Sequence, residues 1–282
     1  MTEALHRDYQ IGEEIGSGRF GIVYRCTSSS SGEQFAVKSI NKALLVDPVD
    51  RDCIDTEAKL THLASSSSSS HSGSHTVRLH GVYEDSSFLH LVLDLCDGSD
   101  LFDHLSRHAP LPEPEAASIM TSVIEAISSC HKNGVAHRDI KPDNILFDGQ
   151  GGLRLADFGS AGWFGGGGNS TTMMSGLVGT AHYVAPEVVR GEEYGEKVDI
   201  WSAGVVLYVM LGGGLPFEGG SAVEVFEAVM RGNLRFPTRI FGWVSPEAKD
   251  LMRRMMSKDV SRRLSAEQAL RHPWITSGGG AR

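Results

Sequence analysis

Cysteine is scarce in this chain of 282 residues: Cys26, Cys53, Cys96 and Cys130 lie far apart, with no C-x-x-C pair. That excludes a disulfide framework and a structural zinc site of the usual spacing. Four reduced thiols in the cytosol or nucleus fit this best, and a cytoplasmic setting is expected. Long apolar runs are missing too. The longest, Ala203–Leu211, is too short to cross a bilayer, and Glu3, His6, Arg7 and Asp8 stand where a secretory leader would be apolar. Nor is there an excess of positive charge. Lys plus Arg number 26 against 35 Asp plus Glu, a formal charge of −9, so neither nucleic acid nor an anionic membrane is expected as a partner.

What is present gathers around His137-Arg138-Asp139-Ile140-Lys141-Pro142-Asp143-Asn144, followed by Ile145-Leu146-Phe147. An Asp able to take a hydroxyl proton, and an Asn five residues on able to hold a metal, are what phosphoryl transfer asks of one loop. An isolated H-R-D triplet is a weak signal. Asp157-Phe158-Gly159, thirteen residues after Asn144, adds a second metal-ligand candidate. On these motifs the chain resembles the eukaryotic protein kinases, from about Tyr9 to Trp274.

The segments before the loop fit that resemblance in order. Residues 11–15 and 22–26 read as two strands around Gly16-Ser17-Gly18-Arg19-Phe20-Gly21. G-x-G-x-x-G alone is weak, since the dinucleotide fingerprint shares its letters but opens a helix, whereas a β-branched run follows here. Glycines at such a turn let backbone approach phosphate oxygens. Phe35–Ile40 reads as a third strand carrying Lys38, and Glu57, nineteen residues on in a helical stretch over 51–63, is its expected partner. An isolated A-V-K would be a solvated lysine on a strand; the order hairpin, Lys, Glu, H-R-D, D-F-G overturns that. Six consecutive serines, Ser65–Ser70, mark a low-complexity loop before a strand over 77–83 and are assigned no function. Thr61 stands where related kinases have an apolar residue, a departure that puts the anchoring of the Glu57 helix in doubt.

Phe88–Leu93 has the pattern of a buried strand, and Asp94–Gly98 resembles the hinge between kinase lobes. The resemblance implies a nucleotide site of Ile15, Gly16, Ser17, Gly18, Arg19, Phe20, Gly21, Val23, Ala36, Lys38, Leu93 as gatekeeper, Asp94, Cys96 and Asp100. Apolar positions 116, 119, 120, 123, 124 and 127 predict a long helix over Glu113–Lys132, opened near Pro114 and closed by Gly134. Beyond it, Leu153–Ala156 reads as a short strand delivering Asp157.

A Gly-, Ser- and Thr-rich stretch, 162–176, leads to Gly179-Thr180 and Ala185-Pro186-Glu187. Many kinases carry a phosphorylatable residue four before that Thr. Here it is Gly176, so activation by phosphate at that spot is closed, with Ser175, Thr171 and Thr172 as neighbouring hydroxyls. The resemblance implies that Lys141 and Thr180 are of the Ser/Thr-selective type, with Thr180 contacting Asp139 and Lys141. By the same resemblance Asp199 holds the catalytic-loop backbone and Arg263 pairs with Glu187.

The implied fold is α+β and bilobal: a small antiparallel sheet with one main helix over 9–96 and a larger, mainly helical lobe over 97–274, flanked by an extension, 1–8, and a tail, 275–282. The implied activity is ATP- and Mg²⁺-dependent phosphorylation of Ser or Thr by a monomer. Asp139 acts as base and Lys141 on the γ-phosphate, Asn144 and Asp157 hold metal, and Lys38 with Glu57 sets the phosphates. A non-catalytic, kinase-shaped scaffold is the alternative class; such proteins usually lack one of these groups, and all are present. Within the family the chain resembles the calcium- and calmodulin-dependent group. It has no D-x-[DN]-x-[DN]-G calcium loop, and eight residues after Trp274 leave no room for one, so calcium independence is expected. Residues 155–163, 194–199 and the Arg271-His272-Pro273-Trp274-Ile275 close are similar to plant phosphoenolpyruvate carboxylase kinases. That implies phosphoenolpyruvate carboxylase as protein substrate, at a serine near its N-terminus. The default is reduced thiols, with Cys53, near the Glu57 helix, the candidate for redox sensitivity.

Overall fold

The computed structural model describes residues 2–18, 21–45, 48–65, 75–165 and 172–280. Its N-terminal lobe opens with α1 (Glu3–Asp8), capped by Thr2 Oγ1, which accepts from the Leu5 amide at 3.0 Å. There follow β1 (Tyr9–Gly18), β2 (Gly21–Ser28), β3 (Gln34–Asn41), α2 (Pro48–Ser65), β4 (Leu79–Glu84) and β5 (Phe88–Asp94). The strands form one antiparallel sheet in the order β1-β2-β3-β5-β4. Period-two alternation along β3 sorts its side chains. Phe35 and Val37 turn to one face and pack with Leu5 of α1, Cys26 and Val92. Ala36, Lys38 and Ile40 turn to the other. Residues 3–8 thus close the outer face of the sheet, and Tyr83 donates from its hydroxyl to Asp8 Oδ2 at 2.9 Å.

Several strands run past their expected ends, β1 over Tyr9–Gly18 rather than 11–15 and β2 over Gly21–Ser28 rather than 22–26, and other boundaries shift as well. Helix α2 runs from Pro48 to Ser65 rather than over 51–63. The strand expected from Val77 starts at Leu79 instead, because the Val77 amide donates to Leu155 O of the other lobe at 3.0 Å and the Leu155 amide returns a bond to His75 O at 2.7 Å. Arg19, Phe20, the serines from Ser66 to Ser70 and Thr171 lie outside the described residues.

The larger lobe holds α3 (Leu101–His108), α4 (Glu113–Lys132), β6 (Val135–Ala136), β7 (Ile145–Phe147), β8 (Leu153–Leu155), β9 (Gly162–Trp163), α5 (Pro186–Val189), α6 (Val198–Gly212), α7 (Ala222–Arg231), α8 (Thr238–Phe241), α9 (Pro246–Met255), α10 (Ala266–Leu270) and α11 (Pro273–Thr276). Helix α4 has the predicted bounds, and the predicted apolar positions are among its buried ones. Helix α6 is buried along nearly its whole length, so it lacks a polar face and forms the lobe's axis. A buried acid, Glu113, ties the ends together: it accepts from the Ser245 amide and hydroxyl at 2.6 and 2.8 Å and from the Trp274 indole at 2.6 Å.

The hairpin β7–β8 is where the lobes join. The hinge reaches it through the Gly98 amide on Phe147 O at 3.0 Å and the Phe147 amide on Ser99 O at 3.1 Å. The stretch after α2 reaches it through Val77 and His75. Both interlobe connections therefore set the position of the residues that the hairpin carries.

Candidate active site

Strand pairing brings together the sequence-predicted residues that lie on the sheet. Lys38 on β3 lies opposite Val23 of β2 and Leu91 of β5, and Ala36 lies opposite Leu93. These residues make one cross-strand patch on the face of the sheet turned to α2. In the glycine-rich turn, Gly16 faces Val23 and Gly18 faces Gly21. Gly21 is needed for packing, since a Cβ there would collide with Ser39 O; at Gly18 a Cβ would meet nothing within 4 Å. The open side of the turn is thus left clear at Gly18, where Cβ-free backbone can approach an anion.

Lys38 Nζ lies 2.7 Å from Glu57 Oε1 and 2.6 Å from Asp157 Oδ1. Glu57 is 2 % exposed, and its Oε2 is buried with no partner among the described residues. Burial holds the Glu57 pKa above the ordinary value, more strongly than Lys38 draws it down. Asp157 is half exposed; the protein around it still works against its charge, but the charge and hydrogen bond of Lys38 prevail and hold the pKa down at about 2. For Lys38, burial works against the charge, and the two carboxylates outweigh it and raise the pKa. All three groups meet at Gly159, where a Cβ would come within 3.2 Å of Asp157 Oδ1 and 3.3 Å of Glu57 Oε2.

Thr61, the departure from the family pattern, is buried, and its hydroxyl donates to Glu57 O at 2.8 Å. A polar group at an apolar position is thereby satisfied within its own helix. That bond stays inside α2 and anchors it to nothing else; the doubt about the α2 anchor is met by the Lys38–Glu57 pair, which ties the helix to β3.

The base candidate is held on three sides. Asp139 Oδ1 accepts from the Thr180 hydroxyl at 2.8 Å, Asp139 Oδ2 lies 2.8 Å from Lys141 Nζ, and Asn144 Nδ2 donates to Asp139 O at 2.9 Å. Lys141 also donates to Thr180 Oγ1 at 3.0 Å. With its amide nitrogen turned to Asp139, Asn144 keeps Oδ1 available for a cation. Hairpin β7–β8 sets Asn144 and Asp157 at neighbouring ends, the Ala156 amide donating to Asn144 O at 2.9 Å. Asp157 is exposed, in the left-handed region at φ +60°. The donor set fits Mg²⁺: one carboxylate and one amide oxygen, with room for water and phosphate oxygens to complete six-coordination.

His137 and Asp199 hold the loop from beneath. Asp199, fully buried, accepts from the His137 and Arg138 amides at 2.9 and 2.8 Å and from His131 Nε2 at 2.9 Å. His137 Nε2 donates to Ala156 O at 2.9 Å, and its ring meets Phe158 edge-on at 4.9 Å, so the H-R-D and D-F-G segments are locked to each other. Arg263 grips Glu187 in two bonds of 2.5 and 2.9 Å, both side chains buried. His131 escaped sequence reasoning. Its only signal was a basic residue in the last turn of α4, where the helix C-terminus favours one anyway.

Around the expected nucleotide site, Asp94 spends its carboxylate on the Arg78 amide and His80, at 3.0 and 2.6 Å, pointing it away from the hinge backbone. Asp100 caps α3 through Oδ1, on the Asp103 amide at 2.7 Å, which leaves Oδ2 for another partner. Cys96 is half-buried and free; burial pushes its thiol up to about 12, and that of Cys26 to about 11. Cys130 is pushed up as well, so none of the three is a reactive thiolate. The side chain of Cys53 is outside what is described. A cavity of about 290 Å³ near Tyr24, Ser39, Phe88 and His90 lies on the face of β3 opposite Lys38 and has no part in this site.

The protein kinase domain model matches residues 9–275. The chain is 39% identical over 283 residues to calcium-dependent protein kinase 19 of Arabidopsis thaliana, covering 99% of this chain and 49% of the relative. It is 37% identical over 282 residues to calcium-dependent protein kinase 17 of the same plant, covering 99% and 51%. To calcium-dependent protein kinase 19 of Oryza sativa subsp. japonica it is 38% identical over 274 residues, covering 96% and 49%. The chain spans about half the length of the curated relatives it matches. With the bilobal architecture and the Lys38, Glu57, Asp139, Asn144 and Asp157 constellation in place, the chain belongs to the protein kinase domain family.

Proposed function

We propose that the chain transfers the γ-phosphoryl group of ATP to a serine or threonine hydroxyl of a protein. The observation that carries this is the linkage of two clusters through Asn144: its amide nitrogen bonds Asp139 O beside Lys141 and Thr180, and its backbone carbonyl accepts from Ala156, next to the Asp157 that pairs with Lys38. Asp139 is aimed by Thr180 and Lys141, leaving its carboxylate oriented to accept the proton of an incoming hydroxyl. Lys141 places a positive charge where the γ-phosphoryl charge develops. Lys38, fixed by Glu57, does the same for the α- and β-phosphates. Magnesium bound by Asn144 Oδ1 and Asp157 would neutralise charge on the β- and γ-oxygens. Positioning and charge stabilisation carry most of such a reaction, and these side chains are already positioned.

The finer proposal is that the substrate is a serine near the N-terminus of phosphoenolpyruvate carboxylase, that its phosphorylation relieves inhibition of the carboxylase by malate, and that the chain acts without calcium. The similarity of residues 155–163, 194–199 and 271–275 to kinases of that carboxylase supports it. So does the exposed Asp143, within the catalytic loop, together with the second oxygen of Asp100, suited to a basic residue upstream of the acceptor. The names of the relatives favour a second reading, a calcium-dependent kinase of another substrate. Labelled ATP and Mg²⁺, purified carboxylase or a generic basic peptide, and calcium or chelator separate the two. Preferred labelling of the carboxylase, unchanged by chelation, is expected. Labelling of the peptide alone, or only with calcium, overturns the substrate or the calcium clause. Asp139→Asn, which keeps the shape but not the base, should bind ATP yet lose about 10²- to 10⁴-fold in turnover.

A further inference from the structure

Tyr194 does nothing in the proposed chemistry, yet it is 2 % exposed and its hydroxyl sits at a junction. That hydroxyl lies 3.0 Å from Gly176 O and 3.3 Å from Ser175 O, and Arg138 Nη1 donates to it at 3.4 Å. Arg138 is the residue before the catalytic Asp139. Its guanidinium also donates from Nε to Ser160 O at 2.6 Å and from Nη2 to Ala161 O at 2.9 Å, just past Asp157-Phe158-Gly159. The backbone of Tyr194 adds a two-way bridge to Met174, both bonds at 2.9 Å. Met174 in turn is buried with its sulfur against Gly162, where a Cβ would lie 2.6 Å from Sδ.

The position at which many kinases carry a phosphate is glycine here, and the glycine has its own geometry. Gly176 has φ +92°, a backbone state that side chains rarely adopt, and a Cβ there would meet nothing within 4 Å. Space does not demand the glycine, so conformation does. The turn carries the Gly176 carbonyl to the Tyr194 hydroxyl, and that hydroxyl can donate to a carbonyl while accepting from Arg138.

We propose that Tyr194 is a positioning residue: its hydroxyl joins Arg138 to the carbonyls of Ser175 and Gly176, a neutral latch that orders the segment leading to Thr180 where a phosphate would otherwise be needed. No covalent modification enters. Through Arg138 the latch sets the backbone that presents Asp139. This deepens the phosphotransferase reading and rests on it.

The test uses the full chain, dephosphorylated, as wild type, Tyr194→Phe, Gly176→Ala and the double variant. Amide exchange of 172–178 and steady-state transfer to a basic peptide are read side by side. Tyr194→Phe should speed exchange across 172–178 with exchange in α6 unchanged, and lower kcat/KM for peptide about twofold to tenfold, the range for one lost hydrogen bond. The KM for ATP should hold. Gly176→Ala should give the same defect, and the double variant no more than either alone, because both remove one coupled contact. Unchanged exchange and turnover in Tyr194→Phe, or losses that add in the double variant, overturn the latch. If Tyr194→Phe also opens α6, Gly176→Ala, at an exposed position, carries the same comparison. A wild-type chain that transfers no phosphate refutes the enzymatic reading, while the exchange measurement still decides the latch.

Discussion

Thr180 Oγ1 donates to Asp139 Oδ1 at 2.8 Å, joining two residues 41 positions apart at the centre of the site. The same oxygen receives Lys141 at 3.0 Å, so one hydroxyl fixes both the base candidate and the cation beside it. Thr180→Val keeps the shape and removes both bonds. Turnover should fall about 10- to 100-fold, the cost of a misaimed catalytic group, with ATP affinity unchanged because the Lys38 cluster is untouched. Transfer kinetics alongside nucleotide titration check this. Equal losses in turnover and ATP affinity would contradict it.

Lys38 neutralises two carboxylates, one of them buried. Lys38→Met should therefore do two separable things: abolish transfer, and lower the melting temperature by leaving the Glu57 carboxyl buried without a partner. Adding Glu57→Gln removes the stranded carboxyl. The double variant should regain most of the lost melting temperature and none of the transfer. Thermal unfolding with and without nucleotide and Mg²⁺ distinguishes these effects; a double variant that melts no higher than Lys38→Met would contradict the assignment.

Asp199 gives the site an acid limit. Burial raises its pKa, but the bonds from His131 and the loop amides win, and the folded value lies below the ordinary 3.8. Between the two values the folded chain binds fewer protons than the unfolded one. The stabilisation is therefore complete above the unfolded value, about 3.9, and is lost as pH falls through the folded one. Asp199→Asn should be less stable than wild type at neutral pH, and the gap should narrow below about pH 4. Urea midpoints from neutral pH down through that range read this out. A constant gap would place the pH dependence elsewhere.

The sequence was most legible where chemistry fixes both residue type and spacing. Lys38, Glu57 and Asp157 meet, as do Asp139 and Asn144, and the α4 bounds follow from its apolar period with Pro114 in its first turn and Gly134 past its end. Contacts between distant parts with no shared pattern were not legible. Glu113 reads as an ordinary acid in a first helical turn, where the helix dipole favours it, and nothing local shows that it is buried against Trp274 and Ser245. Val77 has the letters of a strand residue, yet its amide bonds to Leu155 in the other lobe, a choice set by lobe packing rather than propensity. Thr61 shows the limit from the other direction: a polar residue at an apolar position reads as a defect until its own helix supplies the acceptor.

Arg263 and Glu187 lie 76 residues apart and make the most fully buried ion pair among the described residues, with Arg263 also donating to Ser257 O and Lys197 O at 2.9 and 3.1 Å and stacking over Trp201 at 5.2 Å. Glu187 lies in the first turn of α5, directly after the segment that carries Thr180, so the pair ties that segment to the end of the lobe. Removing one partner strands the other. Arg263→Met should cost about 3 to 5 kcal/mol, whereas the double variant Arg263→Met, Glu187→Leu should cost much less, because replacing both ions avoids an unpaired buried charge. The double variant should still lose transfer, since apolar contact fixes the register of residues 180–187 less tightly than two directed bonds. Urea unfolding of the three chains with a parallel transfer assay separates stability from positioning. A double variant as unstable as the single one would show that the bonds to Ser257 and Lys197, rather than the ion pair, hold this corner together.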